Sequence, residues 1–215
     1  MKETPKMRKI YSDIQSKLFY MIPEVWSKLY LYASITDQVH GMPIGEMYFY
    51  YFPKGILKNR PINVYEIPNK FNIDDELYSK HINDLYVSIK ELREEAISAT
   101  LKPWTNITIS IVNYQFSIEY HYEDLSKSEY SNIERHIIWR YKHIQQDLNT
   151  YNKKERKLIE AYLKKKNTEK VEIYTEGVYK KLKRNIVGYD AKKYVVTEEA
   201  KEEIIKKNQI LNVNN

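Results

Sequence analysis

The sequence contains no cysteine, and only 5 of its 215 residues are glycine. Without cysteine the chain cannot form disulfides, use a thiol nucleophile or hold zinc through thiolates. The few glycines form no GxGxxG or GxxxxGK[ST] phosphate loop, and the sequence has no GxSxG or HExxH motif. The sequence therefore gives no positive case for catalysis, and we expect a protein that is not an enzyme and uses no cofactor.

Long apolar runs are missing as well. No run approaches the roughly 20 residues that a membrane-spanning helix needs, and the first residues, MKETPKMRKIYSD, lack the apolar core of a signal peptide. The hydrophobic content of 42% is nevertheless that of a globular protein. We therefore expect a cytoplasmic protein that has no membrane contact and binds no small-molecule substrate.

The formal net charge of +6 is unevenly distributed along the chain. Residues 1–150 hold 18 basic and 19 acidic side chains, whereas residues 151–215 hold 17 basic and 10 acidic ones. This change predicts a boundary near Thr150, with a globular domain over residues 1–150 and a basic, mainly helical extension over residues 151–215.

Hydrophobic periodicity predicts an α+β fold. Alternation with a period of two indicates four strands, over residues 25–36, 47–52, 104–112 and 114–121, and residues 62–67 can add a short edge strand. Apolar residues at helical spacing indicate helices over residues 6–21, 72–96 and 131–148. We expect an antiparallel sheet of four or five strands with helices packed on one face.

The predicted helices carry recognisable start signals. Asn72 is the expected N-cap of the longest helix, whose first turn holds Asp74, Asp75 and Glu76. Ser131 and Glu134 have the spacing of a capping box, and the helix that follows has an apolar stripe that begins at Ile133; the stripe continues through Ile137, Tyr141, Ile144 and Leu148.

The two parities of the predicted strands differ in chemistry. The side of each strand that carries the aliphatic residues should face the helices. The alternate residues, on the other side, are aromatic and polar, namely Trp26, Tyr30, Tyr32, Thr108, Ser110, Glu119 and His121. If nothing covers this second face, it is an amphipathic aromatic surface of the kind that binds proteins.

Glu119, His121 and Glu123 share one side of a strand, and three such groups could bind a divalent cation. A solvated polar sheet face explains the same pattern with fewer assumptions, so we predict no metal site. A metal-dependent enzyme remains the alternative hypothesis for these three residues.

Charge clusters suggest two kinds of partner. Residues 74–95 hold seven acids against three bases, and residues 119–134 hold five against one, which suits a strongly basic protein partner. Solubility and helix-dipole effects explain the same acids without a partner. The basic clusters KKER, KKK and KKLKR after Thr150 either form solvated helix faces or make the region a nucleic-acid-binding element.

Several segments, taken in order, resemble the YezG-like bacterial antitoxin family, to which the EsaG-type immunity proteins also belong. They are MIPEVWSKLYLYASI (residues 21–35), GEMYFYYFPKG (45–55), PWT (103–105), YEDL (122–125) and ERHIIWRYKH (134–143). The resemblance covers about residues 7–165 and has no counterpart after about Lys166. Trp104, Trp139 and Tyr141 lie in these motifs and can do so for packing reasons alone.

This resemblance implies an immunity protein that binds and inhibits the nuclease domain of a secreted, type VII, LXG-like toxin. The motifs do not tell which residues touch the toxin. From the charge and strand patterns we predict a contact surface on the acidic helix and on the second sheet face, formed by Asp74, Asp75, Glu76, Glu91, Glu94, Glu95, Trp26, Tyr30, Tyr32, Glu119, Glu123 and Asp124.

Overall fold

A computed structural model describes residues 3–37, 43–55, 60–100, 103–113 and 115–168. The chain divides into two units, residues 1–160 and residues 161–215. The domain boundary that charge suggests near Thr150 stays a prediction. The basic cluster KKLKR, and with it most of the predicted extension, lies outside the described residues.

The strands form one principal antiparallel sheet, so the α+β prediction with four or five antiparallel strands is confirmed. Its order is β5-β4-β1-β6-β7, and a separate two-stranded ribbon pairs β2 with β3. The bounds are Trp26–Ser34 (β1), Thr36–Asp37 (β2), Pro43–Ile44 (β3), Met47–Pro53 (β4), Ile62–Asn63 (β5), Asn106–Val112 (β6) and Gln115–His121 (β7). The turn between β6 and β7 is made at Asn113, whose left-handed φ of 50° is a conformation that asparagine tolerates well.

Two helices, α1 (Pro5–Met21) and α3 (Asp75–Thr100), cover one face of this sheet, which we call the α1/α3 face. Their predicted stripes are confirmed, since every fourth or third side chain points into the main core. The buried members are Met7, Ile10, Ile14, Leu18 and Met21 of α1 and Tyr78, Leu85, Ile89, Leu92 and Ala96 of α3. They meet the aliphatic strand residues, including Leu29, Leu31, Phe49, Ile107, Ile109 and Ile111.

The N-cap of α3 differs from the prediction. Asn72 has a left-handed φ of 51° and caps the C-terminus of the short helix α2 (Ile67–Phe71) instead. Asp74 takes the N-cap role, because its Oδ1 accepts a hydrogen bond of 2.8 Å from the backbone N–H of Leu77. Asparagine is common at either end of a helix, so the local pattern at Asn72 did not tell which end it caps.

A further helix, α4 (Asn132–His143), packs on the opposite face, which we call the α4 face. The capping box of Ser131 and Glu134 is confirmed. The predicted stripe is wrong in part, since Ile133 is 74% exposed and the buried residues of the helix are Ile138 and Trp139. Trp139 packs with Tyr32, Tyr48 and Tyr50 in a second hydrophobic cluster. The centre of the aromatic sheet face is therefore covered by α4 and is not open to solvent.

After α4 the chain passes through a 3-10 turn at Leu148–Thr150 and enters a helix, α5, over residues 153–168. Within the first unit, the side chains of Tyr151 and Ile159 are buried. None of the helices in the described ranges is long and apolar enough to cross a membrane.

Candidate partner-binding surface

The predicted acidic contacts on α3 do not all remain available to a partner. Asp75, Glu76, Glu91 and Glu94 are exposed on the helix surface. Asp74 is exposed too, but its side chain caps the helix. Glu95 accepts a hydrogen bond of 2.7 Å from Thr4 and pairs with Lys6 at 3.3 Å, contacts that together lower the pKa of its carboxyl.

The acids at the end of the β6–β7 hairpin also divide by their contacts. Glu119 is 66% exposed and lies 3.9 Å from the imidazole of His121. Glu123 accepts a hydrogen bond of 2.8 Å from the amide of Asn106. Asp124 caps the 3-10 turn Leu125–Lys127, and its hydrogen bonds from Ser126 and its contact with Lys127 lower the pKa of the carboxyl. Glu119 is therefore the acid of this group with the fewest competing contacts.

Trp26 does not share a face with Tyr30 and Tyr32, contrary to expectation. The pairing of β1 with β4 slips by one residue between Trp26 and Lys28, which marks a β-bulge. A bulge inserts one residue and so reverses the alternation beyond it. Trp26 consequently packs against Phe19 of α1, with ring centroids 5.0 Å apart.

Tyr32 is buried rather than presented to solvent. It is 5% exposed and stacks on Tyr48 at 4.9 Å beneath Trp139. Tyr30 is half-buried between Phe52 and His143. These two tyrosines therefore help to hold α4 on the sheet, and the surface that remains open on the α4 face lies over β7, where Gln115, Ser117 and Glu119 are exposed.

His136 completes the contact between α4 and the sheet. Its ring stacks on Tyr48 at 3.7 Å, and its Nε2 lies 3.0 Å from the hydroxyl of Tyr50. Burial, with a further effect of Arg140, lowers the pKa of His136 to about 4. A neutral imidazole is thus part of this contact, beside Trp139, for which the sequence allowed a packing role.

An exposed apolar patch escaped the sequence analysis. Phe19, Tyr20 and Val25 are 44%, 74% and 67% exposed. Phe19 and Val25, with Trp26, line a cavity of about 330 Å³ at the junction of α1 and β1. The signal for it was present, because Phe19 and Tyr20 lie outside the apolar stripe of α1 and have no buried role there.

The geometry gives no support to the metal hypothesis. Among the described residues, no group of three or more His, Asp or Glu side chains is arranged to hold a metal ion. Glu123, the third member of the set with Glu119 and His121, is directed at Asn106.

Residues 7–160 match the family described as "Immunity protein YezG-like". The chain belongs to this family of immunity proteins, as its motifs suggested.

Three similar proteins have names that agree with this family. The chain is 36% identical over 163 residues to "Immunity protein YezG" of Bacillus spizizenii, a match that covers 75% of this chain and 96% of that protein. It is 30% identical over 139 residues to "Immunity protein YezG" of Bacillus subtilis, covering 64% and 87% of the two chains. It is also 30% identical over 139 residues to "Type VII secretion system protein EsaG" of Staphylococcus aureus, covering 64% and 80%.

Proposed function

We propose that this protein is a cytoplasmic, non-enzymatic antitoxin. It binds the nuclease domain of a secreted, type VII, LXG-like toxin and blocks its activity. The observation that carries the proposal is the family match over residues 7–160, which spans nearly all of the described part of the chain. The name of the staphylococcal relative, a type VII secretion system protein, supports the secretion route.

The charges of the described residues support a basic partner. A nuclease must attract phosphates and therefore presents basic side chains, which an inhibitor can cover with carboxylates. The exposed side of α3 carries Asp75, Glu76, Glu91 and Glu94. Burying these acids against such a partner would replace their contacts with water by ion pairs. These four acids are the contact residues that we retain on α3.

The test is charge reversal at the exposed acids only. We expect the pairs Asp75→Lys/Glu76→Lys and Glu91→Lys/Glu94→Lys each to weaken binding to the purified toxin nuclease domain by roughly tenfold or more at low salt. The salt dependence of the affinity should become shallower, because fewer charge pairs are screened. Isothermal titration calorimetry over a range of salt concentrations measures both effects.

The control is Glu160→Lys, which makes the same kind of charge reversal at an exposed position of the first unit, on α5 rather than on α3. It should keep the affinity within roughly threefold of the parent. Equal losses in all three variants would show that overall charge, not the α3 surface, governs binding. Unchanged affinity in the α3 variants would remove this helix from the interface.

A further inference from the structure

Strand β7 forms one edge of the principal sheet. It pairs with β6 from Asn106↔His121 to Val112↔Gln115 without a register shift. No other strand of the described ranges pairs with its far edge, the edge away from β6. The far edge therefore offers seven residues of regular, extended backbone.

The direction of each backbone group along β7 follows from the hydrogen bonds of its neighbours. Ser34 of β1 exchanges both backbone hydrogen bonds with Glu46, so the odd-numbered residues of β1 face β6, and the N–H of Ile35 accordingly donates to the carbonyl of Thr105 at 2.9 Å. The odd-numbered residues of β6, which lie opposite them, therefore point towards β1. The even-numbered residues of β6 then point towards β7 and bond the residues opposite them, which are Gln115, Ser117, Glu119 and His121. The carbonyl of His121 accepts from the N–H of Thr105, the residue before β6, at 2.9 Å, so His121 faces β6 and not the far edge. The N–H and C=O groups of Phe116, Ile118 and Tyr120 consequently face the far edge.

This edge lacks three of the features by which sheet proteins usually prevent strand addition. Its sequence, QFSIEYH, contains no proline and no lysine, and the uninterrupted register shows no bulge. A seven-residue edge strand in this condition is a template for another strand.

The packing at this edge is also incomplete. Ile107, Ile109 and Ile111 of β6 are at most 1% exposed, whereas Phe116, Ile118 and Tyr120 of β7 are only partly buried on the same face. Contacts with Tyr11 of α1, a hydrogen bond of 2.9 Å to Tyr120 and a ring contact of 6.0 Å with Phe116, cover them in part. An added strand would cover the remaining apolar surface.

The acidic side chains near β7 favour one kind of added strand over another. The exposed side of β7 carries Glu119, and the segment that follows carries Glu123 and Asp124. A second copy of the chain would bring a second set of these acids to the same interface, which like-charge repulsion disfavours. A strand with basic residues on its polar side would be attracted instead.

We infer that the far edge of β7 accepts an extended segment of the protein partner, with apolar residues beside Phe116, Ile118 and Tyr120 and basic residues beside Glu119. This inference rests on the proposed function, because the partner that it needs is the toxin. The added strand takes the three outward N–H groups into hydrogen bonds and extends the sheet to a sixth strand.

The test is residue-resolved amide hydrogen exchange by NMR, with the full chain alone and in complex with the toxin nuclease domain. We expect the amides of Phe116, Ile118 and Tyr120 to exchange at least roughly tenfold more slowly in the complex. The amides of Ser117 and Glu119 already bond to β6 and should be protected in both states. Fast exchange at the three outward amides in an intact complex would overturn the inference and leave the proposed function standing.

A pair of variants isolates the backbone contribution. Ile118→Pro removes one outward N–H without removing a bond to β6, and should lower the affinity for the toxin domain by roughly tenfold or more. Ile118→Val keeps this N–H and the branched side chain, and should bind within roughly threefold of the parent. Equal affinity for the two variants would contradict strand addition.

Two other outcomes are informative. Protection of the outward amides in the free protein that rises with its concentration would identify a second copy as the occupant and overturn our choice of partner. Failure of the parent protein to bind the toxin domain at all would overturn the proposed function and the inference together.

Discussion

The indole Nε1 of Trp139 donates a hydrogen bond of 3.0 Å to Oγ1 of Thr108, and this buried bond fastens α4 to the centre of the sheet. Both residues are at most 6% exposed, so water cannot replace either partner. Packing and this hydrogen bond are sufficient to explain the tryptophan of the ERHIIWRYKH motif. Trp139 needs no direct contact with a partner to account for its presence there.

Replacing Thr108 by valine should lower the free energy of unfolding by about 1–3 kcal/mol, because the shape is kept but the indole N–H is left without its acceptor. Ser110→Ala is the control, since Ser110 shares the strand and parity but its hydroxyl bonds to Ser117 at a solvent-exposed site. Denaturant unfolding of both variants measures the difference. A loss for Thr108→Val no larger than that for Ser110→Ala would mean that the Trp139 bond contributes nothing.

Two partly buried histidines should make stability depend on pH. Burial lowers the pKa of His136 to about 4 and that of His143 to about 4, against 6.5 for an unperturbed imidazole. Between these values the unfolded chain binds more protons than the folded one, so the free energy of unfolding should fall as the pH falls from 6.5 towards 4. We expect a loss of about 2 kcal/mol between pH 7 and pH 5, allowing for the partial exposure of both rings.

The control for this pH effect is the double variant His136→Phe/His143→Phe, which keeps aromatic rings in both positions but cannot bind the protons. Its free energy of unfolding, measured by urea titration at each pH, should decline less steeply over the same window. A decline as steep as that of the parent would assign the pH dependence to carboxylates elsewhere.

We expect replacement of Gly45 by any residue with a side chain to destabilise the fold. A Cβ built on this residue would lie 1.8 Å from the backbone carbonyl oxygen of Ser34 and 2.1 Å from the hydroxyl of Tyr86. Because the nearer atom is backbone, the strands themselves would have to move, and we expect Gly45→Ala to cost about 2–3 kcal/mol or more. Adding Tyr86→Phe removes only the hydroxyl, so the double variant should not recover the melting temperature of the parent. Recovery would show that the Tyr86 contact alone excludes the side chain.

Neighbouring acids at the start of α3 should differ in their effect on stability. Asp74→Ala removes the cap on the N–H of Leu77 and should cost about 1 kcal/mol. Asp75→Ala removes a charge near the helix N-terminus but no hydrogen bond from the cap, and should cost only about 0.3–0.5 kcal/mol. Chemical denaturation of the two single variants distinguishes them. Equal effects would contradict the assignment of Asp74 as the cap.

The fold class followed from the sequence because periodicity is a local property. The alternation of Leu29 and Leu31 with Tyr30 and Tyr32 placed each side chain on the correct face, since no irregularity interrupts that part of β1. Trp26 was misplaced because a bulge is decided by the pairing of two strands, which one strand's pattern does not contain.

The candidate surface was harder to predict, because exposure depends on which element packs where. Tyr32 looked like a surface aromatic, yet α4 covers it through Trp139 and His136. The spacing of Ile133 and Ile137 predicted that their side of α4 is buried. The buried side is instead the one that carries Trp139, because the larger indole has more apolar surface to bury. The acids of α3 were found correctly as exposed charges, but the internal contacts of Glu95 required the position of α1.

The most direct measurement is a DNA-degradation assay with the nuclease domain of the proposed LXG-like toxin, titrated with the purified chain. We expect cleavage to fall to background near an equimolar ratio, and the two proteins to elute together in gel filtration. Undiminished cleavage with a folded chain in excess would contradict the proposal that this protein neutralises that toxin.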